Sequence, residues 1–579
     1  MTRYATLAAI LSQRIQQGLY PVGHRLPSVR ALSLEHGVSI STVQQAYRLL
    51  EERRLVEARP KYRCTLALFF SYSCIPKCAE WFTFEASVPV FRLLFLMRDI
   101  CMTRYATLAA ILSQRIQQGL YPVGHRLPSV RALSLEHGVS ISTVQQAYRL
   151  LEERRLVEAR PKSGYFVHAQ RTQAELPAMT APTQRPVDIS QWEQVLELVR
   201  TRPREGLIQL GRGMPDIAEP TMKPLIVALR NAARHGDLRS LYYDSIQGVT
   251  ALREQVARLL LDSGCQIGAD QLLITTGCQE AISAGLRAVC QPGDIVAVDS
   301  PCFHGTMQTL KGLGIKALEI PTDPLTGVSL AALEMALEQW PVKAVLLTPN
   351  CNNPLGYIMP DAHKQRLLTL AQRHDAAIIE DDVYGDIAYH YPRPRTIKSF
   401  DEDGRVLLCS SFSKTLAPGL RVGWIAPGRY LERVLHMKFI GSGATATQPQ
   451  LAIADFIRGG HYLKHLRRMR ARYQQNRDRM TDLILKYFPA GTRVSRPRGG
   501  FMLWIELDEA FDTLRLNRHL EQQGVQIAVG SIFSAAGKYR NCLRINYAPT
   551  LTTEIEQAVQ RVGATIQALM PTDSLAQSD

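Results

Sequence analysis

The apolar positions of this chain change period along its length, and each period predicts a different element. Leu108, Ile111, Leu112 and Ile116 recur at helical spacing and stop at Gly119, which predicts one amphipathic helix. A short helix is expected next, capped by Ser129 after Pro128 and ending at His137-Gly138. Beyond a turn, Val144, Ala147, Tyr148 and Leu151 lie at i, i+3, i+4 and i+7, the buried stripe of a third helix. Leu156–Ala159 and Tyr165–Val167 then alternate around Lys162-Ser163-Gly164, as hairpin arms do. Gln170–Pro186, rich in Thr, Pro, Ala and Gln, has no such period and reads as a linker.

Past about Gly206 short apolar runs alternate with helix-like stretches: Leu272–Thr275, Ile295–Val298, Ala344–Leu347, Ala376–Glu380 and Val406–Cys409. That order predicts an α/β domain with a mainly parallel sheet. Met1–Lys61 recurs without a difference as Met102–Lys162. Stacked architectural repeats vary at loops and caps, so the identity reads as a recent duplication, with residues 102–579 as the original chain. Tyr62–Cys101, between the copies, has neither helical nor strand periodicity. Its Cys64, Cys74, Cys78 and Cys101 lack the spacing of paired zinc knuckles, and no metal is expected.

Composition narrows the class. With 46% hydrophobic and 21% charged residues the chain is neither disordered nor collagen-like. No apolar run reaches the roughly 18 residues of a membrane span, and 11 cysteines without a Cys-x-x-Cys pair suit reduced thiols. A cytoplasmic protein with no membrane partner is expected. Each 61-residue copy carries nine Lys/Arg against four Asp/Glu, so much of the +16 net charge sits at the N-terminal end. That suggests nucleic acid as a partner.

Two short helices joined by a Gly-containing turn, with polar side chains opening the second, form a helix-turn-helix, and the hairpin after it is a wing. Ser142, Thr143 and Gln145 face the position of base edges, while Arg126, Arg131 and Arg149 offer charge to phosphates. Ser142 and Gln145 also fit a capping box. The runs Gly124-His-Arg-Leu-Pro-Ser-Val-Arg131, Gly138-Val-Ser-Ile-Ser-Thr-Val144 and Ser163-Gly-Tyr-Phe-Val167 resemble the GntR-type winged helix-turn-helix. The resemblance implies DNA contacts from Arg126, Ser129, Arg131, Ser142, Thr143, Gln145, Arg149 and Gly164. Ile141 stands where members often carry Arg. The first copy departs after Lys61 and loses the Ser-Gly-Tyr-Phe-Val sequence, so it is expected to fold or bind DNA poorly.

In a parallel α/β sheet ligands sit beyond the strand C-termini. There the sequence offers Thr276-Gly-Cys-Gln-Glu280, Ser300-Pro-Cys-Phe303, Asn353-Pro-Leu-Gly356, Asp381-Asp-Val-Tyr384, Ser410-Ser-Phe-Ser-Lys414 and Arg421-Val-Gly423. Together these meet the needs of pyridoxal 5'-phosphate: an amine for its aldehyde (Lys414), a carboxylate for its pyridine nitrogen (Asp381) and cationic and N–H donors for its phosphate (Arg421). The combination resembles fold-type I aminotransferases over about Gly206–Ala564. The resemblance implies Asn353 and Tyr384 on the cofactor's 3'-oxygen, Phe303 stacked on its ring, and Cys278, Gln279, Ser411, Ser413 and Arg421 on its phosphate. It further implies Arg544 for a substrate carboxylate, and Tyr243 reaching the phosphate across a homodimer interface.

A GntR-like winged helix ahead of such a domain resembles the MocR-type regulators, in particular their YdcR-type members. The expected fold is multidomain: an α+β winged helix-turn-helix followed by an α/β fold-type I, PLP-dependent aminotransferase-like domain. Its parts are an incomplete duplicate at 1–61, an insert of unknown structure at 62–101, the winged helix at 102–168, a linker at 169–205 and the aminotransferase-like domain at 206–579. The expected function is transcription regulation: binding double-stranded promoter DNA as a homodimer and sensing an amino compound or a vitamin B6 species through an aldimine at Lys414. The alternative is an active aminotransferase that carries a DNA-binding domain.

Overall fold

The structure, a computed structural model, describes residues 104–122, 124–153, 156–160, 163–167, 174–179, 185–189, 206–234 and 241–570, together with 43, 46–47, 50, 56–59, 63–66, 193 and 195–196. Cys74, Cys78 and Cys101 of the insert lie outside these residues. The chain forms two compact units, Met1–Gln170 and Arg171–Asp579.

In the first unit, α1 (Arg104–Gln117), α2 (Val130–Glu136) and α3 (Ile141–Glu153) precede an antiparallel hairpin of β1 (Val157–Arg160) and β2 (Gly164–Val167). The predicted stripes are the core apart from Ile111, which is exposed: Leu108, Leu112, Ile116, Val144, Ala147, Tyr148 and Leu151 are buried together with Val157 and Val167. Tyr148 fixes the wing to α3, since its ring stacks on Tyr165 at 4.2 Å and its hydroxyl donates to Pro128 O. Ser129 caps α2, its Oγ accepting from Ala132 N at 3.2 Å. Helix α3 begins at Ile141, so the capping group is Ser140, whose Oγ accepts from Thr143 N at 3.1 Å. The box expected of Ser142 and Gln145 is therefore not used, and both side chains are exposed within the helix.

The first copy differs from expectation as well. Val43, Ala46, Tyr47 and Leu50 are buried, the same stripe as in α3. Val56–Arg59 pairs with Arg63–Leu66, from Val56 opposite Leu66 to Arg59 opposite Arg63. This matches the register of β1 and β2, so a hairpin forms without the Gly-Tyr-Phe-Val sequence. Leu66 stands where the second copy has Val167.

The second unit is built on an eight-stranded sheet. Its strands are β4 (Leu273–Thr275), β5 (Ile295–Ser300), β6 (Lys316–Asp323), β7 (Gly327–Val328), β8 (Val342–Leu347), β9 (Ala377–Asp381), β10 (Val406–Ser411) and β11 (Gly423–Ala426); a short strand, β3 (Ile208–Gln209), precedes them. The spatial order is β4-β11-β10-β9-β8-β5-β6-β7. β4, β10, β9, β8, β5 and β6 share one direction; β11 runs antiparallel between β10 and β4, and β7 runs antiparallel to β6. Both faces are covered: Ile295, Ala297, Val345 and Ile378 belong to one apolar cluster, and Val296, Val298, Ala344 and Ile379 to another. Two buried faces explain why the runs read as continuous apolar stretches rather than alternation.

The 27-residue helix His461–Tyr487 leads to a second, antiparallel sheet. It comprises β12 (Arg493–Val494), β13 (Met502–Glu506), β15 (Ala528–Val529) and β16 (Cys542–Asn546), in the order β12-β13-β16-β15. Between them β14 (Val525–Gln526) pairs with β3.

Part of the expected linker is not free chain. Val494 N donates to Glu175 O at 2.8 Å and Ala178 N to Glu506 Oε2 at 2.9 Å, while Val187 exchanges two backbone hydrogen bonds with Ala317. Ala174, Ile189 and Val195 enter the apolar clusters of the second unit. Residues 174–179 and 185–189 are thus anchored through backbone bonds that composition does not encode. Amide hydrogen exchange checks the anchoring: Val187 and Val494 should exchange as slowly as the interior of the sheet, and open-chain exchange at Val187 would remove it.

Candidate functional site

The common direction of the parallel strands sends their C-terminal residues to one edge. Asp381 and Ser411 are the last residues of β9 and β10, and Thr348 directly follows β8. Cys278 opens the helix that follows β4, and Phe303 caps the helix that follows β5. Arg421 joins them because β11 runs the other way and so starts at this edge. The result is a cavity of about 140 Å³, lined among others by Cys278, Gln279, Phe303, Asn353, Asp381, Tyr384, Ser411, Ser413, Lys414 and Arg421.

Buried polar bonds hold the turns in place. Asp382 accepts from Asn350 Nδ2 at 2.9 Å and pairs with Arg393, which fixes the turn from Asp381 to Tyr384. Asn352 donates to Asp299 at 2.6 Å and accepts from Leu355 N at 3.0 Å, which fixes the turn bearing Asn353. Ser411 Oγ accepts from Ser413 N at 3.3 Å, and Ser413 Oγ accepts from Arg421 Nη1 at 3.4 Å. Arg421 has a φ of 52° and also donates to Thr276 O at 3.1 Å. Gly277 faces it, with a φ of 79°, and a Cβ there would lie 2.5 Å from the guanidinium.

Desolvation sets the protonation of the cavity. Burial, with Arg544 adding to it, lowers the Lys414 amine to about 8. Burial raises the Asp381 carboxyl to about 6, against the hydrogen bonds it accepts from Cys278 Sγ at 3.4 Å and Val383 N at 3.2 Å. Burial and the neighbouring Asp381 keep Cys278 a thiol. Lys414 Nζ donates to Gly213 O at 2.7 Å.

Arg544, 1% exposed, is fully enclosed. Its Nη1 donates to Asn353 Oδ1 at 3.0 Å and its Nη2 to Gly211 O at 2.7 Å, and it lies 4.9 Å from the centroid of Phe533. Its Nε has no partner among the described residues, and burial lowers the group to about 10. A buried guanidinium with donor capacity to spare suits an anionic ligand. Asn353 Nδ2 also donates to the Tyr384 hydroxyl at 3.4 Å.

Two expected residues are placed differently. The Gln279 side chain is exposed and donates to Gly305 O at 3.0 Å and to Thr309 Oγ1, so it offers the cavity its backbone rather than its amide. Tyr243 is 95% exposed and does not line the cavity of its own chain. In the first unit Arg131, Gln145 and Arg149 are exposed, Arg126 packs its guanidinium over Gly164, and Ser129 and Thr143 are engaged in caps.

Sequence reasoning missed Gly211, Gly213 and His304. The glycines act through carbonyls on a segment preceding the sheet, where only a Gly-x-Gly run signals them. The His304 ring contacts Phe303 at 4.5 Å and Phe533 at 5.8 Å, and burial, with Arg544 and Lys414, holds it down to about 3.

The donor set fits a phosphorylated pyridine aldehyde. It combines an amine, a carboxylate, an aromatic lid and a helix N-terminus with hydroxyl and guanidinium donors, and the backbone at 277, with φ of 79°, favours glycine beside the Arg421 guanidinium.

Comparison with known proteins agrees with this architecture. Residues 205–562 match the family of aminotransferases class I and II. Residues 3–65 and 104–167 match bacterial regulatory proteins of the gntR family. The uncharacterized HTH-type transcriptional regulator YjiR of Escherichia coli (strain K12) is 54% identical over 81% of this chain and 100% of the relative. YdcR of the same organism, also an uncharacterized HTH-type transcriptional regulator, is 33% identical over 80% of this chain and 99% of its own. Among solved structures, Pyrococcus horikoshii kynurenine aminotransferase, in complex with PMP, aligns with a TM-score of 0.61 at 28% identity, covering 67% of this chain and 96% of that one. No helix of the described residues is long and apolar enough to cross a membrane. The chain belongs to the MocR-type bacterial regulators, in which a gntR-family helix-turn-helix precedes a domain of the PLP-dependent aminotransferase class I and II fold family.

Proposed function

We propose that this transcriptional regulator binds double-stranded promoter DNA as a homodimer and senses an amino compound or a vitamin B6 species in the cavity around Lys414, with pyridoxal 5'-phosphate as cofactor. The observation that carries the reading is the convergence of the Lys414 amine, the Asp381 carboxylate and the Ser411, Ser413 and Arg421 donors on one cavity. When bound, the cofactor supplies an aldehyde that condenses with amines and a pyridine ring that withdraws electrons.

Each residue has its part. Lys414, lowered to about 8, keeps an appreciable neutral fraction at physiological pH, and only the neutral amine has a free lone pair. Asp381, ionised above about pH 6, retains a proton on a pyridine nitrogen. Asn353 and Tyr384 hydrogen-bond a ring oxygen, and Phe303 covers the ring. Ser411, Ser413, Arg421 and the backbone N–H groups at Cys278 and Gln279 take the phosphate. Arg544 binds the carboxylate of an amino-acid effector through its planar fork. Tyr243, exposed on its own chain, serves the partner's phosphate site.

On the DNA side, Ser142, Gln145 and Arg149 are exposed on α3 and Arg131 is exposed on α2, with Arg126 and Gly164 at the wing. Ser129 and Thr143 act there chiefly by capping. Transamination is the second reading, supported by the Lys414 amine and the Asp381 carboxylate in one cavity and by a buried guanidinium, Arg544, on Asn353. It is further favoured by 30% identity over 66% of this chain to aromatic-amino-acid aminotransferase 1 of Thermococcus litoralis. Steady turnover of amino donors by the purified protein would decide for it.

Three outcomes are expected. Borohydride reduction of the cofactor-loaded protein should leave a phosphopyridoxyl group on the peptide containing Lys414. Label elsewhere, or a visible band that survives Lys414→Ala, sinks the assignment.

The rate of cofactor association should rise with pH through about 8, because the reactive neutral amine appears above its lowered pKa. A midpoint near 10.5, the ordinary lysine value, would show a solvated amine.

Arg544→Ala should keep the resting spectrum of the loaded protein and lose the spectral response to amino acids. An unchanged response places the carboxylate elsewhere.

A further inference from the structure

We infer that the Cys278 side chain is a positioning residue: its thiol donates to Oδ1 of Asp381 and so presents the other oxygen, Oδ2, to the cavity for a protonated ring nitrogen. The inference rests on the reading of the cavity as a pyridoxal 5'-phosphate site. It gives this side chain a task distinct from that of the Cys278 backbone, which the same reading assigns to the phosphate.

Two donors reach Asp381, and both take the same oxygen. Cys278 Sγ lies 3.4 Å from Oδ1, and Val383 N lies 3.2 Å from it. Oδ2 has no hydrogen-bond partner among the described residues, although Asp381 is only 6% exposed and lines the cavity. The next residue, Asp382, is held by Arg393 and Asn350. Asp381 has no such ion pair among the described residues, so the two bonds to Oδ1 set the rotation of its carboxyl.

Val383 belongs to the same turn as Asp381, whereas Cys278 reaches it from another element. Cys278 opens the helix Cys278–Val289 that follows β4, and its side chain packs against two apolar clusters, which limits its rotation. The helix start is itself seated closely on β11, since a Cβ at Gly423 would lie 2.8 Å from Cys278 N. A residue that merely fills apolar space needs no aim, yet this thiol is directed at a carboxyl oxygen. Burial and the nearby Asp381 keep it protonated, so toward a carboxylate it acts only as a donor.

Several neighbours act on the charge of Asp381. Lys414, on the turn after β10, favours the ionised carboxyl, and Asp382 opposes it. Cys302, Tyr384 and Cys409 also lie near it, and burial keeps all three protonated. Burial sets the carboxyl at about 6, with the Cys278 bond pulling it down. Deleting that bond therefore raises the value, because a donor to a carboxylate favours the ionised form.

The test titrates pyridoxal 5'-phosphate into the cofactor-free full chain at pH values on both sides of 6. Affinity should fall on the acid side, since only the ionised carboxyl retains a ring proton. Cys278→Ala and Cys278→Val both delete the donor, one by underfilling the site and the other by overfilling it. Both should move the acid-side midpoint up by about one pH unit, a loss of up to about tenfold in affinity below it. A packing role would instead lower affinity equally at every pH. Asp381→Asn should bind weakly throughout and lose this midpoint.

A second measurement needs no cofactor. The S–H infrared stretch of Cys278, isolated by subtracting the spectrum of Cys278→Ala, should move to lower frequency as pH rises through about 6 and Asp381 ionises. A band that stays in place over that range overturns the inference. So does an acid-side midpoint unmoved in both Cys278→Ala and Cys278→Val while Asp381→Asn abolishes it. A chain that binds no pyridoxal 5'-phosphate, or an Asp381→Asn variant that keeps the midpoint, would overturn the reading of the cavity instead, and the infrared band would still decide whether Cys278 orients Asp381.

Discussion

The shared direction of six strands governs the chemistry of this protein. A parallel sheet with both faces buried leaves its strand ends as the place where polar side chains can meet without breaking the core. Lys414, Asp381, Phe303, Asn353 and the phosphate-type donors come from positions spread over more than a hundred residues, and one edge collects them. The antiparallel strand β11 adds Arg421 to that edge by starting where its neighbours stop.

Enclosure then supplies reactivity. The Lys414 amine and the Arg544 guanidinium are both desolvated, and each is steadied by a single backbone carbonyl, of Gly213 and Gly211 respectively, rather than by a carboxylate. Carbonyls hold position without cancelling charge, so the Arg544 guanidinium stays available to an incoming anion, while the Lys414 amine gives up its proton more readily than a solvated lysine. Neutral His304 fits the same logic, since a protonated ring beside Arg544 and Lys414 would add a third positive charge.

Much of this is legible in the sequence. The helical stripe of α3, the wing and five strands of the sheet follow from apolar period alone, and the residues just after those strands line the cavity. The parts that are not legible are those that side-chain type does not encode. The anchoring of residues 174–179 and 185–189 runs through backbone bonds to edge positions, and the roles of Gly211 and Gly213 run through carbonyls. The cap of α3 falls two residues from its expected position because two serines, Ser140 and Ser142, compete for it and only the true helix start decides between them. The first-copy hairpin forms although the Gly-Tyr-Phe-Val sequence is absent, so that sequence is not what sets the pairing of Val56–Arg59 with Arg63–Leu66.

One detail of the cradle bears on which residues the chain can carry there. A side chain at Gly423 would meet the backbone at Gly277 and Cys278 within 3 Å, just as one at Gly277 would meet Arg421. Gly423 thus gives room to the backbone at Gly277 and Cys278, and Gly277 in turn leaves room for the Arg421 guanidinium. A side chain at position 423 would have to displace the start of the helix at Cys278, and with it the backbone N–H groups that face the cavity.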